Sequence, residues 1–437
     1  MSKTSPVAIA SMDLSSPNTS QRSDGETEAA HPRRWWIALV LLSATIFGFF
    51  DRISVAVLFS WVPFQNAIGT GFNPAKLGLL MSVFLFGFAL SALFLSFTGD
   101  LFGHKRSMLV SITIWGLAMA GMGAAASYPI MLVGRIILGV AEGPQFSFAA
   151  ALVRRWFPKR EHGRANAIWL VGSPLGSAVG FPLIGSILVP NFGWRDTFYI
   201  LGAANLLIVV PLILFAVKEY PHAVLATQTA SLTHKAFRSE VCRFVGDWKV
   251  WSLVVYNAGA LTYLWGLNSW LPTYLVKSRG INLASAGWLS ALPFVTMLIG
   301  EIIGSVICDK VGRHAFVAGC GMTLAAAMMY VGTQTGTAGG AVIGMGLSTL
   351  GWGIAIPVFF ALTLRVLPPG AMAAGIGLIN GIGNLVGALA PVFIGTIIAQ
   401  TGRFDAGLLV LVVGPLISAM CLFILARVRY GDVSVSG

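Results

Sequence analysis

Residues 35–62 read WWIALVLLSATIFGFFDRISVAVLFSWV. Apart from one aspartate and one arginine, Asp51 and Arg52, the run carries no charge. A helix rises about 1.5 Å per residue, so a hydrocarbon core of about 30 Å takes about 20 apolar residues. The stretch is long enough to cross a bilayer with some tilt. Its two charges then sit where insertion costs about 2.5–3.5 kcal/mol each, and such groups persist only beside a partner or a wet cavity.

The same ruler picks out further candidate spans at 76–99, 107–126, 129–153, 164–188, 197–217, 251–276, 284–307, 314–334, 338–364, 372–399 and 404–426. Composition agrees. The chain has 437 residues, 56% hydrophobic and only 10% charged, with mean hydropathy +0.81. A soluble domain carries about 25% charged residues, so lipid must be the solvent for most of this surface. The net charge of +12 does not mark a nucleic-acid binder, because the basic residues fall between apolar runs rather than on one soluble domain.

Their distribution sets orientation. Arg33, Arg34, Lys105, Arg106, Arg154, Arg155, Lys159, Arg160, Arg164, the cations of the central loop, Lys310, Arg313, Arg365, Arg427 and Arg429 share the side of the N-terminus. Only Lys76, Arg195, Lys277, Arg279 and Arg403 face the other side. The positive-inside rule puts both termini in the cytoplasm of a bacterial-type inner membrane, which requires an even number of spans. The expected layout is an all-α membrane protein with twelve transmembrane helices in two pseudo-symmetric six-helix bundles. Residues 1–32 form a cytoplasmic tail without the apolar core of a signal peptide. Residues 33–217 form the first bundle, 218–250 a cytoplasmic central loop, 251–428 the second bundle and 429–437 a short tail.

The halves repeat. Residues 99–106 read GDLFGHKR and residues 308–314 read CDKVGRH, each Asp-x-x-Gly with basic residues, each between the second and third spans of its half. Asp100, Lys105, Arg106, Asp309 and Arg313 are therefore candidate gate residues, able to pair across helices in one conformation. A tight polar turn is the plainer alternative. The four cysteines, Cys242, Cys308, Cys320 and Cys421, show no metal-binding or disulfide spacing and read as packing residues. No metal, cofactor or catalytic constellation is expected, so an enzyme is the remote reading.

Five charges lie within spans: Asp51, Arg52, Arg135, Glu142 and Glu301. Neighbours on a helix project about 100° apart, so Asp51 and Arg52 need separate partners. Arg135 and Glu142 are seven apart, on one stripe about 10 Å long. Two arginines on two helices can clamp a carboxylate with their planar forks. Asp51 and Glu142 can hold protons when kept from water. A buried ion pair that only fixes helix packing is the alternative. Glu301 fits a gate contact or packing bond as well as proton handling. Asn380 and Asn384 are one turn apart on one face, and serve either the substrate or interhelical bonding.

These residues carry a resemblance. FFDRISVAV at 49–57, GDLFGHKR at 99–106, GRIILGVAEG at 134–143, RRWFPKREHGRA at 154–165, GWRDTF at 193–198, WLPTYLV at 270–276 and NGIGN at 380–384 are similar to the major facilitator superfamily. Within it they resemble the anion:cation symporter family, the relatives of sialin and of bacterial galactonate, hexuronate and phthalate transporters. The resemblance implies two rocking bundles around a central site, with Asp51 and Glu142 as proton-coupling acids and Arg52 and Arg135 on the substrate side. Leu101 stands where the gate motif usually has arginine, leaving the cationic role to Lys105 or Arg106. Phe49 and Phe88 stand where sugar-acid carriers tend to have tyrosine, and Phe360 where they have tryptophan.

The expected function is thus proton-coupled uptake of a small organic anion, leaning to an aromatic or apolar carboxylate. Arg52, Arg135, Phe49, Phe88, Ser173, Phe360, Asn380 and Asn384 would line the substrate site. The expected partners are the anion, protons as coupling ion, and the lipid bilayer, with no nucleic acid, for a chain acting as a monomer. Sugar-acid symport and organic-anion efflux by proton antiport are the alternatives.

Overall fold

The computed structural model describes residues 34–217, 245–367 and 372–430, with side-chain surroundings for all of these except 159, 309, 360, 364, 366 and 372–374. The tail expected at 1–32, residues 431–437 of the second tail and most of the central loop expected at 218–250 lie outside the described residues.

The described chain is helical almost throughout. Helices run over α1 Arg34–Leu58, α2 Pro74–Phe94, α3 His104–Gly123, α4 Tyr128–Glu142, α5 Gln145–Trp156, α6 His162–Leu170, α7 Gly172–Pro182, α8 Val189–Ala204 and α9 Val210–Ala216. The second half contains α10 Trp248–Lys277, α11 Leu283–Val311, α12 His314–Gln334, α13 Ala338–Val366, α14 Met372–Gly387, α15 Ala390–Thr401 and α16 Val410–Arg427. Starts are set by local chemistry: the side chains of Asn73, Asn282 and Thr337 accept from the backbone N–H three residues on, as N-caps do.

Among the described residues, nine helical stretches are long and apolar enough to cross a membrane. One, His162–Ala216, is 55 residues long, about 80 Å if straight. The chain turns inside it at Gly193, whose φ of 79° suits only glycine. The spans expected at 164–188 and 197–217 therefore run together through that bend. α3 and α10, of 20 and 30 residues, are as long as the others but more polar. The span expected at 129–153 is broken at Gly143–Pro144, and that at 372–399 between Gly387 and Ala390. Pro144 and Pro391 account for both breaks, since proline lacks an N–H and clashes with the preceding turn.

Within the first half the main pairings are α2 with α4, α1 with α7 and α3 with α8. Within the second they are α11 and α12 with α13, and α10 and α12 with α16. Close approach depends on glycine. A Cβ at Gly139 of α4, or at Gly143 just past its end, would run into backbone of α2 at Phe84 and Phe88. A Cβ at Gly300 or Gly304 of α11 would run into Leu350 or Ile354 of α13. Both are small-x-x-x-small faces that let helices pack without side chains between them.

Between the halves, α2 packs on α14 and α15, α7 on α11, and α1 on α10. Take the end where α1 begins and α2 stops as the near end. Most contact lies toward the far end. Phe181 stacks on Phe294 at 5.4 Å, Ser186 Oγ donates to Ala284 O at 2.5 Å, and Gly78 and Gly395 abut Pro391 and Pro74. Toward the near end, Leu93 of α2 meets Gly381 of α14, while Ser305 and Asn380 are exposed.

Candidate functional site

α1 delivers Asp51 and Arg52 to the interior of the first half, and the two part as their 100° offset requires. Arg52 Nε donates to Glu142 Oε2 of α4 at 2.7 Å. Asp51 Oδ2 accepts from Asn205 Nδ2 at 2.7 Å. Asn205 opens the π-helical turn Asn205–Val209 between α8 and α9, a kind of irregularity that concentrates at functional sites. Asp51, Arg135 and Glu142 are 0% exposed and Arg52 is 1% exposed.

Of the two settings open to a mid-span charge, a partner or a wet cavity, this structure shows the partner: helix packing closes over all four charges. The physical reason is that each charge finds its partner inside the packing. Arg52 is also enclosed by aromatic faces, its Cζ 4.6 Å from the Phe88 ring, 4.7 Å from Phe49 and 5.5 Å from Phe146. Phe49 and Phe88 thus hold the guanidinium rather than line an open pocket. Such contacts are worth about 2 kcal/mol or more when desolvated, and partly offset the cost of burying the pair.

Arg135 differs from its expected place in a two-armed clamp. Its Nε donates to Leu80 O at 3.2 Å, Nη1 to Asp51 O at 3.4 Å, and Nη2 to Arg52 O at 3.4 Å and to Met81 Sδ at 3.1 Å. Its plane lies 4.4 Å from the Phe84 ring. With all three nitrogens engaged, it staples α1, α2 and α4 together. Seven residues separate it from Glu142, so one stripe holds a structural cation and an acid paired elsewhere.

The cluster has polar capacity that the fold does not use. Asp51 Oδ1, Arg52 Nη2, Glu142 Oε1, Asn205 Oδ1 and both amide atoms of Gln145 are buried without a hydrogen-bond partner. Each such atom costs about 1–3 kcal/mol when left unpaired. Gly48, one turn before Arg52, leaves the space that Gln145 fills, since a Cβ there would lie 3.3 Å from Gln145 Oε1.

The other expected substrate residues are not joined to this cluster. Ser173 is half-buried on α7. Asn384 Nδ2 donates to Asn380 Oδ1 at 3.2 Å, and Asn257 Nδ2 of α10 reaches the same oxygen at 3.4 Å. These three amides form a neutral, partly exposed patch on the second half. Phe360 and Asp309 lie outside the described side chains.

At the near end, Asp100 is exposed and its carboxylate lies 3.4 Å from His104 Nε2, one turn along rather than on another helix of the gate. Lys105 Nζ donates to Leu214 O at 2.8 Å, in the last turn of α9. Arg106 is exposed, and exposed Arg313 lies 4.9 Å over the Phe316 ring. In this conformation Asp100, Lys105 and Arg313 have turn and helix-end contacts. Glu301 is half-buried on α11.

Asn205, Phe146 and Asn257 went unnoticed in the sequence. Asn205 left a signal, a lone amide within LGAANLLIVVPLILF at 201–215; Phe146 left none among so many aromatic residues.

Residues 41–391 match the model of the Major Facilitator Superfamily. The chain is 28% identical over 375 residues to the "Probable sulfoacetate transporter SauU" of Cupriavidus necator, covering 82% of this chain and 86% of that one. It is 25% identical to the "Probable galactarate/D-glucarate transporter GudP" of Escherichia coli, covering 92% and 94%. Among solved structures, a bacterial homologue of the human lysosomal transporter Spinster superposes with TM-score 0.78 at 18% identity, covering 93% and 99%.

Proposed function

The chain belongs to the Major Facilitator Superfamily and is a membrane transporter rather than an enzyme; from that premise we propose that it takes up a small organic anion together with protons. We read twelve membrane helices. Nine stretches meet the length and polarity test, the 55-residue stretch counts twice because of its bend at Gly193, and α3 and α10 complete the set. The near end is cytoplasmic on the distribution of lysine and arginine, and the two helix groups are the bundles that rock.

One observation carries the reading: the buried pair of Arg52 and Glu142, with Arg52 Nη2 and Glu142 Oε1 left over. A guanidinium cannot give up its proton, whereas a carboxylate can accept one. Protonating Glu142 dissolves the pair and leaves a fixed cation held by three aromatic rings. An anion then takes the place of the carboxylate. Loss of the proton restores the pair and expels the anion. Because all four charges are buried in this conformation, the exchange belongs to another conformation, in which α4 and α1 open toward the gap between bundles. Importing a monovalent anion against a negative-inside potential costs about 2.3 kcal/mol per 100 mV; one proton cancels that charge and two make the step uphill-capable.

The three aromatic rings around Arg52 offer no partners for sugar hydroxyls, the Gln145 amide is the main neutral donor of the cluster, and a site that leaves hydroxyls unpaired rejects them. An acid poor in hydroxyls, aromatic or otherwise apolar, fits best. The relatives named above carry names of organic-acid transporters, which supports the class. The second reading is sugar-acid symport, favoured by the amide patch of buried Asn257, half-buried Asn384 and exposed Asn380.

Right-side-out vesicles with an inward proton gradient test both. Uptake of labelled benzoate or sulfoacetate above glucuronate supports the first, and the reverse order selects the second. Accumulation only in inverted vesicles would overturn uptake in favour of efflux.

A further inference from the structure

Three faces of α11 can be told apart by periodicity. Val295, Ile299, Ile302 and Val306 are exposed on the outer surface. Gly300 and Gly304 meet α13. Phe294 marks the third face, because it stacks on Phe181 of α7 in the other half. Glu301 follows Phe294 by seven residues, and Ser305 by eleven, so both share the Phe294 stripe. Glu301 therefore faces the gap between the bundles, about 10 Å nearer the near end than the point where α7 and α11 touch.

Its carboxylate makes no hydrogen bond or ion pair with any described residue. It is half-buried and Ser305 is exposed, so no helix covers this part of the face. The surrounding elements bring no cation to its level. On α13, Gly353 lies beside the Glu301 backbone, and Arg365 is twelve residues further on, about 18 Å. On α10, Tyr256 gives its hydroxyl to Ala355 O, and Lys249 is in the first turn at the near end. On α12, His314 is the first residue at the near end. α7 and the π turn after it carry no ionisable side chain.

Resting on the alternating-access reading above, we propose that Glu301 is a proton-binding site of the second half that must be neutral before the near-end gap can close. Closure brings α11 against the stretch of α7 around Gly172–Pro174, which offers only Ser173 as a polar side chain. Burying an unpaired carboxylate there costs far more than protonating it. The proton comes from the near-end compartment and returns to it when the gap reopens. It is thus not carried across, and Glu301 acts as a sensor of pH on that side rather than as a coupling acid.

The test needs no substrate. Spin labels at Arg164→Cys and Lys310→Cys, both exposed at the near end, report the gap by electron–electron double resonance in liposomes, with the four native cysteines replaced by serine. As pH falls from about 8 to 5.5, the ratio of short to long distances should rise, by up to about tenfold per pH unit for one proton. Glu301→Gln should hold the short distance across the range. Glu301→Asp should restore the pH dependence, and Glu142→Gln should retain it. A Glu301→Gln protein that still follows pH as the parent does overturns the proposal while leaving anion uptake untouched. Distances that no pH moves in any variant overturn it together with the rocking motion.

Discussion

The first half crowds Asp51, Arg52, Arg135 and Glu142 into one buried cluster, whereas the second half keeps one mid-helix acid, Glu301, and a patch of amides, Asn257, Asn380 and Asn384. Yet the two share a loop signature and glycine-mediated packing. Common packing with unlike interiors separates what builds the fold from what handles charge. The small-residue faces recur because two helices can meet closely in lipid only that way. The charges do not recur, because a second buried cluster would add desolvation cost without adding a second substrate.

The largest expected effect tests that asymmetry directly. Glu142→Gln should abolish proton-driven accumulation while leaving counterflow, because the fixed neutral amide mimics the protonated acid. Glu301→Gln should leave the steady-state accumulation ratio unchanged. Measured side by side in vesicles, the opposite pattern would move coupling to the second half and break the comparison.

Stability comes next. Removing one partner of a buried pair costs about 3–5 kcal/mol, because the other charge stays behind. Arg52→Gln should therefore lower the Tm of purified protein strongly, and Arg52→Gln with Glu142→Gln should recover much of the loss. In the second half, Asn257→Ala should cost less, about 0.5–1.5 kcal/mol for each of its two long neutral hydrogen bonds, to Ile379 O and Asn380 Oδ1. Equal losses at Arg52 and Asn257, read by intrinsic tryptophan fluorescence on heating, would mean that the pair is already solvated. Gly139→Ala and Gly300→Ala should each cost about 1–3 kcal/mol as overpacking against immovable backbone, with the two halves alike. A large difference between them would show that the shared packing rule is not shared.

How much of this was readable in the chain follows from the physics of each signal. Hydropathy located the helices because lipid leaves the backbone no alternative to helix, and a mid-span charge is rare enough to stand out, so Asp51, Arg52, Arg135 and Glu142 were visible. Their partners were not. Nothing local tells Arg52 to choose Glu142, or Arg135 to bond the carbonyls of Leu80, Asp51 and Arg52, since those choices are made between helices far apart in sequence. Burial was not legible for the same reason: a charge in an apolar run signals a compensating partner or water, and the sequence does not say which.

The smallest expected effect lies in the repeated loops. Lys105 donates to Leu214 O at the end of α9, where a cation is favoured by about 0.3–1 kcal/mol. Arg313 instead precedes the first residue of α12, where the helix dipole disfavours a cation by a similar amount, and its contact with Phe316 returns about 0.5–1 kcal/mol at an exposed site. The two terms nearly cancel. Lys105→Gln should thus lower stability slightly and lose that effect in high salt, which screens exposed charges, while Arg313→Gln should leave the Tm unchanged. If both substitutions leave the Tm in place but alter transport rate equally, the loops act as a matched pair of gates after all. If only Lys105→Gln registers, the duplicated motif has kept its turn while its cations have taken up different work.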